Sequence, residues 1–235
     1  APSLVGSEMC IRDSYIVPRG TKERNNMAVG DTDVGIVNKA LLFLGSDVIT
    51  SFNDGTPQAT ISKQLYNEVK QSTLGMYRWS FTIAKQQLAR DTVTPNSEWT
   101  YQYLLPNDMI TGVPEAVRTT GSPGGALYQN WEINQSKTGG AVLMTEATEI
   151  HIDYQKTVSE GNMPTYFVTL LAYQMAWHIA EAITDQTTKA EYWRTVALGT
   201  ATEGLRGGFF RQACAIDSGG QTPQVIGDYL LTDVR

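Results

Sequence analysis

The apolar residues of this chain change period twice, from helical to alternating and back, and that order limits the fold more than any single motif. Ile36, Val37, Ala40, Leu41 and Leu44 recur at helical spacing. Asp31, Thr32 and Asp33 precede them with short oxygen side chains that accept from free backbone N–H groups, and Gly45 follows as a stop. Asn53-Asp54-Gly55 predicts a turn, and Pro57 opens a second helix over about 58–76. Its buried stripe is expected at Ile61, Leu65, Val69 and Met76. Residues 77–90 are apolar-rich and lead into a loop around Pro95.

From Trp99 the pattern alternates as a strand does and stops at Leu105-Pro106. Further strands are expected within 109–118, 126–134, 140–145 and 148–155. In the last, Ile150, Ile152 and Tyr154 point one way, while Glu149, His151, Asp153 and Gln155 point the other. That predicts an antiparallel sheet with one wet face. Helical spacing returns from Pro164 to about Thr184, apolar over most of its circumference, so this helix should be contacted on several sides. Its polar exceptions Gln174, His178, Glu181 and Asp185 share one stripe. A last helix is expected over about 187–214, weakened by Gly199, Gly204, Gly207 and Gly208.

The fold class expected is α+β: a four-helix bundle body, an antiparallel β insert between helices 2 and 3, and an extended C-terminal arm. The boundaries are 27–92 for helices 1 and 2, 93–158 for the insert, 159–216 for helices 3 and 4, and 217–235 for the arm. Residues 1–26 lack period, and VGSEMCIRDS resembles a recurrent artefact of translated assemblies, which makes Met27 the expected natural start.

At 235 residues and 41% hydrophobic, the chain can bury a substantial core. A net charge of −6 argues against a general nucleic-acid clamp, which needs clustered Lys and Arg. Cys10 and Cys214 form neither a C-x-x-C pair nor a disulfide framework. No apolar run approaches the ~20 residues of a membrane span.

Few residues suggest chemistry. Glu149, His151 and Asp153 on one strand face would suit a metal ion, given further ligands, and carry the alternative of a metal-binding or enzymatic domain. His178-x-x-Glu181 lacks the second copy that a carboxylate-bundle site requires. No G-x-S-x-G, P-loop, G-x-G-x-x-G or H-E-x-x-H motif is present. The expectation is a non-enzymatic protein without a cofactor. In the tail, Val225, Ile226, Tyr229, Leu230 and Leu231 follow Gly219-Gly220 and read as anchors of an arm that orders against a partner.

Four segments together resemble the tail tubular protein A family, the head-to-tail adaptors of short-tailed bacteriophages. They are VNKALLFLGSDVITSFND, YNEVKQSTLGMYRWSFTIAKQQLA, WTYQYLLPNDMI and IHIDYQKTVSEGNMPTYFVTLLAYQMAWHIAEAIT. The family-like core positions are Trp79, Phe81, Leu105 and Pro106, with Thr82-Ile83 where the family pattern would have alanine first. The resemblance spans roughly 33–205. It implies a virion protein at the head-tail junction: a dodecameric ring under the portal and above a nozzle of tail tubular protein B type. DNA would pass through it without specific binding. On that reading the tail contacts the portal, and Gln174, His178, Glu181 and Asp185 line the channel or a subunit interface. Another head-completion module of the virion is the alternative within that class.

Overall fold

A computed structural model describes residues 32–95, 97–122, 125–136 and 139–220. Its elements are α1 (Asp33–Leu44), α2 (Pro57–Gly75), β1 (Ile83–Gln87), β2 (Tyr101–Leu104), β3 (Ala116–Arg118), β4 (Trp131–Gln135), β5 (Ala141–Thr145), β6 (His151–Gln155), α3 (Thr165–Thr184), α4 (Thr187–Leu198) and α5 (Gly208–Ser218). The class is therefore α+β, with all six of these strands between α2 and α3.

Local chemistry sets the first two helices. The Thr32 side chain accepts from Gly35 N at 3.0 Å to start α1, and Gly45 ends it in the left-handed region at φ 72°. Before α2, Asp54 accepts from the backbone N–H groups of Ser51 and Thr50, which hold its carboxyl below the usual range. Thr56 then caps α2, with Pro57 in its first turn. α2 buries Ala59, Ser62, Tyr66, Val69, Lys70, Thr73 and Leu74, so of the expected stripe Val69 is buried. Ile61 and Leu65 pack only on its flank, and Met76 is 36% exposed.

α3 is the hub of the helical body and touches α1, α2, α4 and α5. Phe167, Val168, Leu170, Leu171, Met175, Ala176, Ile179 and Ala180 are all buried on it, as an apolar circumference requires. Trp79 is fully buried in the same core. Its ring packs edge-on against Tyr77, Phe167 and Phe210, and its indole N–H donates to Thr73 O at 3.2 Å.

The strands form two antiparallel three-stranded sheets, ordered β1-β6-β3 and β2-β5-β4. They share a second core of Leu88, Tyr103, Val117, Leu143, Ile150, Ile152 and Tyr154, with Leu105 packed against it. Strand pairing begins earlier than the expected boundary at 93, because Ile83–Gln87 pairs along its length with β6. Ile150, Ile152 and Tyr154 do face the core, but the expected wet face of β6 is largely covered. Asp153 is 7% exposed and Gln155 3%. As the central strand, β6 is flanked on both edges. Gln155 also reaches into the junction with the helices, donating to Tyr77 O (2.8 Å) and Thr82 Oγ1 (3.2 Å).

The expected fourth helix is two helices. α4 stops at Gly199 and α5 starts at Gly208, and these glycines have φ of 78° and 52°. A Cβ on Gly208 would lie 2.7 Å from Gly199 N and from Val196 O, so the backbones meet where no side chain fits. Among the described residues the chain therefore has five α-helices where four were expected. α5 continues to Ser218, past the expected start of the arm at 217.

Candidate interaction surface

The sequence-based candidates separate in space. Glu149 and His151 do touch, with His151 Nε2 2.8 Å from Glu149 Oε1. Asp153 instead accepts from Arg118 Nη1 at 2.6 Å, with Lys85 Nζ 3.9 Å away. Among the described residues, no group of three or more His, Cys, Asp or Glu side chains is placed to hold a metal ion. The three are not brought together as a ligand set because Arg118 on β3 claims the carboxylate. A cleft of about 350 Å³ opens beside them, lined by Lys85, Arg118, Gly121, His151 and Asp153, and Asp153 offsets its basic groups.

The stripe on α3 divides. Gln174 is 1% exposed and donates through Nε2 to Met76 Sδ at 3.6 Å, so it lines neither a channel nor an open surface. The chain leaving α2 covers this part of α3. Further along, His178, Glu181 and Asp185 are exposed. His178 Nδ1 lies 2.8 Å from Gln174 O, and its ring leans on Trp177. Asp185 closes the helix in the left-handed region at φ 52°.

Trp79 is buried in the helical core, Phe81 packs half-buried against it, and Leu105 and Pro106 lie half-buried at the end of β2. Val225, Ile226, Tyr229, Leu230 and Leu231 lie outside the described residues. Where the tail departs, Asp217 is 3% exposed on α5. It accepts from Ser80 N (2.9 Å), Ser80 Oγ (2.7 Å) and Tyr166 Oη (2.6 Å). Burial and then Asp217 push the Tyr166 phenol well above its ordinary range.

The most conspicuous surface was not legible as a motif. Phe43 of α1 stacks on Trp193 of α4 with ring centres 5.0 Å apart, and Tyr173 of α3 lies 5.3 Å from Phe43 and 5.6 Å from Trp193. Tyr173 also meets Phe209 of α5 edge-on at 5.4 Å, and Tyr192 meets Trp193 at 5.2 Å. Tyr192 is 61% exposed and Leu42, beside Phe43, 64%. One band of aromatic rings thus crosses four helices at the surface. Within it, Tyr173, Tyr192, Val196, Phe209 and Gln212 line an open groove of about 420 Å³. Large exposed apolar patches of this kind mark interaction sites. No helix among the described residues is long and apolar enough to cross a membrane.

No protein-family model matches the chain, and no curated protein sequence matches it significantly.

Proposed function

We propose that this chain is a non-enzymatic virion subunit: a head-to-tail adaptor that forms a ring between the portal and the tail nozzle of a short-tailed phage. The observation that carries this reading is the aromatic band that runs from exposed Phe43 and Tyr192 through half-buried Trp193, Tyr173 and Phe209. Aromatic side chains of this size are stable in water only at a cost, and they are the residues that anchor protein interfaces. A heterologous contact repeated by rotation closes a ring, so one such band against a different face of the next copy suffices.

In this reading the body is the bundle around α3, and the β insert is a second contact platform braced on it by Arg78–Glu115 and by Gln155. Glu181 and Asp185 are the channel-facing candidates, since exposed acids keep passing DNA from sticking to the wall. The segment carrying Val225, Ile226, Tyr229, Leu230 and Leu231 is the portal anchor. The ring is dodecameric and sits in the virion tail at the head-tail junction. Deleting residues 221–235 should abolish co-purification with portal while the circular dichroism of the body is unchanged. If the truncated subunit still co-purifies with portal, the anchor assignment is wrong.

A further inference from the structure

Among the described residues, each sheet of the insert has one covered edge and one open edge. The outer edge of β2 is taken by the chain before it, where Asp91 N donates to Gln102 O and Leu104 N donates to Ala89 O. The outer edge of β3 is taken where Tyr128 N donates to Val117 O at 2.8 Å. β1 and β4 are left, one in each sheet, and each is five residues long.

The ladders decide which groups these two edges present. Leu88 N donates to Ile150 O and Lys156 N donates to Thr82 O, so the even-numbered residues of β1 bond to β6. Ser136 N donates to Gly140 O, so the even-numbered residues of β4 bond to β5. The backbone N–H and C=O groups of Lys85 and Gln87, and of Trp131 and Ile133, therefore point outwards. Among the described residues none of these groups has a hydrogen-bond partner.

An open edge is a template for another strand, and the side chains select which one. Lys85 is 76% exposed, with its nearest carboxylate, Asp153, 3.9 Å away. Glu132 is exposed on β4, with Oε2 held by the Trp99 indole N–H at 3.1 Å. In parallel pairing, a residue whose backbone groups point at the neighbouring strand lies opposite one whose groups point away. Lys85 can then lie opposite Glu132, which puts Gln87 opposite Asn134 and Ala84 opposite Trp131. Charge meets charge, amide meets amide, and a small side chain meets a large one. This register also matches the faces, since Ala84 and Trp131 both pack against the insert core and Lys85 and Glu132 both lie on the exposed side. Antiparallel pairing of the same edges would put Lys85 on the core side of β4.

We infer that β1 of one copy pairs in parallel with β4 of a second copy, with Lys85 against Glu132. This rests on reading the chain as a self-assembling subunit, and it names one contact by which it assembles. The two edges differ, so every copy added leaves one edge of each kind open. The contact therefore propagates until rotation closes a ring.

Sedimentation velocity of the full-length protein tests the pairing. Gln87→Pro removes one outward N–H while sparing the ladder to β6, and it should abolish assembly. Lys85→Glu and Glu132→Lys should each shift the protein towards monomer, and the two together should restore the oligomer. Hydrogen exchange on the unaltered protein gives a reading that no folding defect can mimic. The amides of Lys85, Gln87 and Ile133 should exchange more slowly in assembled than in dilute protein. Single reversals that assemble like the unaltered chain, a double variant no better than the singles, equal exchange of those amides in both states, or an unaltered chain that stays monomeric would each overturn the inference. Failure of the adaptor reading is separately visible: oligomers with these amides protected that do not stack on portal would sink the adaptor and leave this contact standing.

Discussion

Buried Asp217 and half-buried Glu160 each fasten distant parts of the chain, and each makes a distinct prediction. Asp217 holds α5 to the turn at Ser80 and to Tyr166 on α3 through three hydrogen bonds. Asp217→Ala strands those donors in the interior and should lower stability by about 1–3 kcal/mol in urea denaturation. Glu160 accepts from Lys70 Nζ (2.7 Å) and Tyr66 Oη (3.0 Å). Burial raises its carboxyl pKa, but the hydrogen bonds and the Lys70 charge outweigh this, and the net shift is below the ordinary value of 4.5. Because the folded-state pKa is the lower one, the contribution is complete above about pH 4.5 and is lost as pH falls below it. Glu160→Gln should therefore reduce stability at pH 7 and flatten the loss of stability with acid, read as thermal midpoints from pH 7 to pH 3. An unchanged acid limb would remove Glu160 from the account. Trp79→Ala, which empties the centre of the helical core, should destabilise by about 3–5 kcal/mol in the same urea assay.

At the scale of elements, helices with caps at both ends and a periodic stripe were the legible ones. α1 and α3 lie close to where Thr32, Gly45 and Pro164 put them, because capping and period act within a few residues. β1 was not legible: Ile83-Ala84-Lys85-Gln86-Gln87 has almost no apolar alternation, and it is a strand because β6 offers it an edge. Gln174 was misplaced for a related reason. It shares a helical face with His178 and Glu181, but which stretch of that face is covered depends on where α2 ends. The aromatic band stayed hidden because its rings come from four elements. The break between α4 and α5 was visible only as glycines, whose role is the close approach of Gly199 and Gly208. Gly208→Ala forces a Cβ into backbone atoms at positive φ and should lower the thermal midpoint, with a loss well above ~1 kcal/mol. A neutral result would mean that the two helices do not meet there.

For the whole molecule, the described residues build two cores and leave a band of aromatic rings partly open at the surface. The helical core around α3 and the insert core around Ile152 are joined by Gln155 and Arg78–Glu115. Among the described residues, the band across α1, α3, α4 and α5 and the acids at the end of α3 stay open. The most direct measurement is negative-stain electron microscopy of the purified protein with and without portal. The account predicts rings that stack coaxially on portal, and their loss when Leu42→Glu and Tyr192→Glu are introduced into the band. Particles that remain monomeric beside intact portal would contradict it.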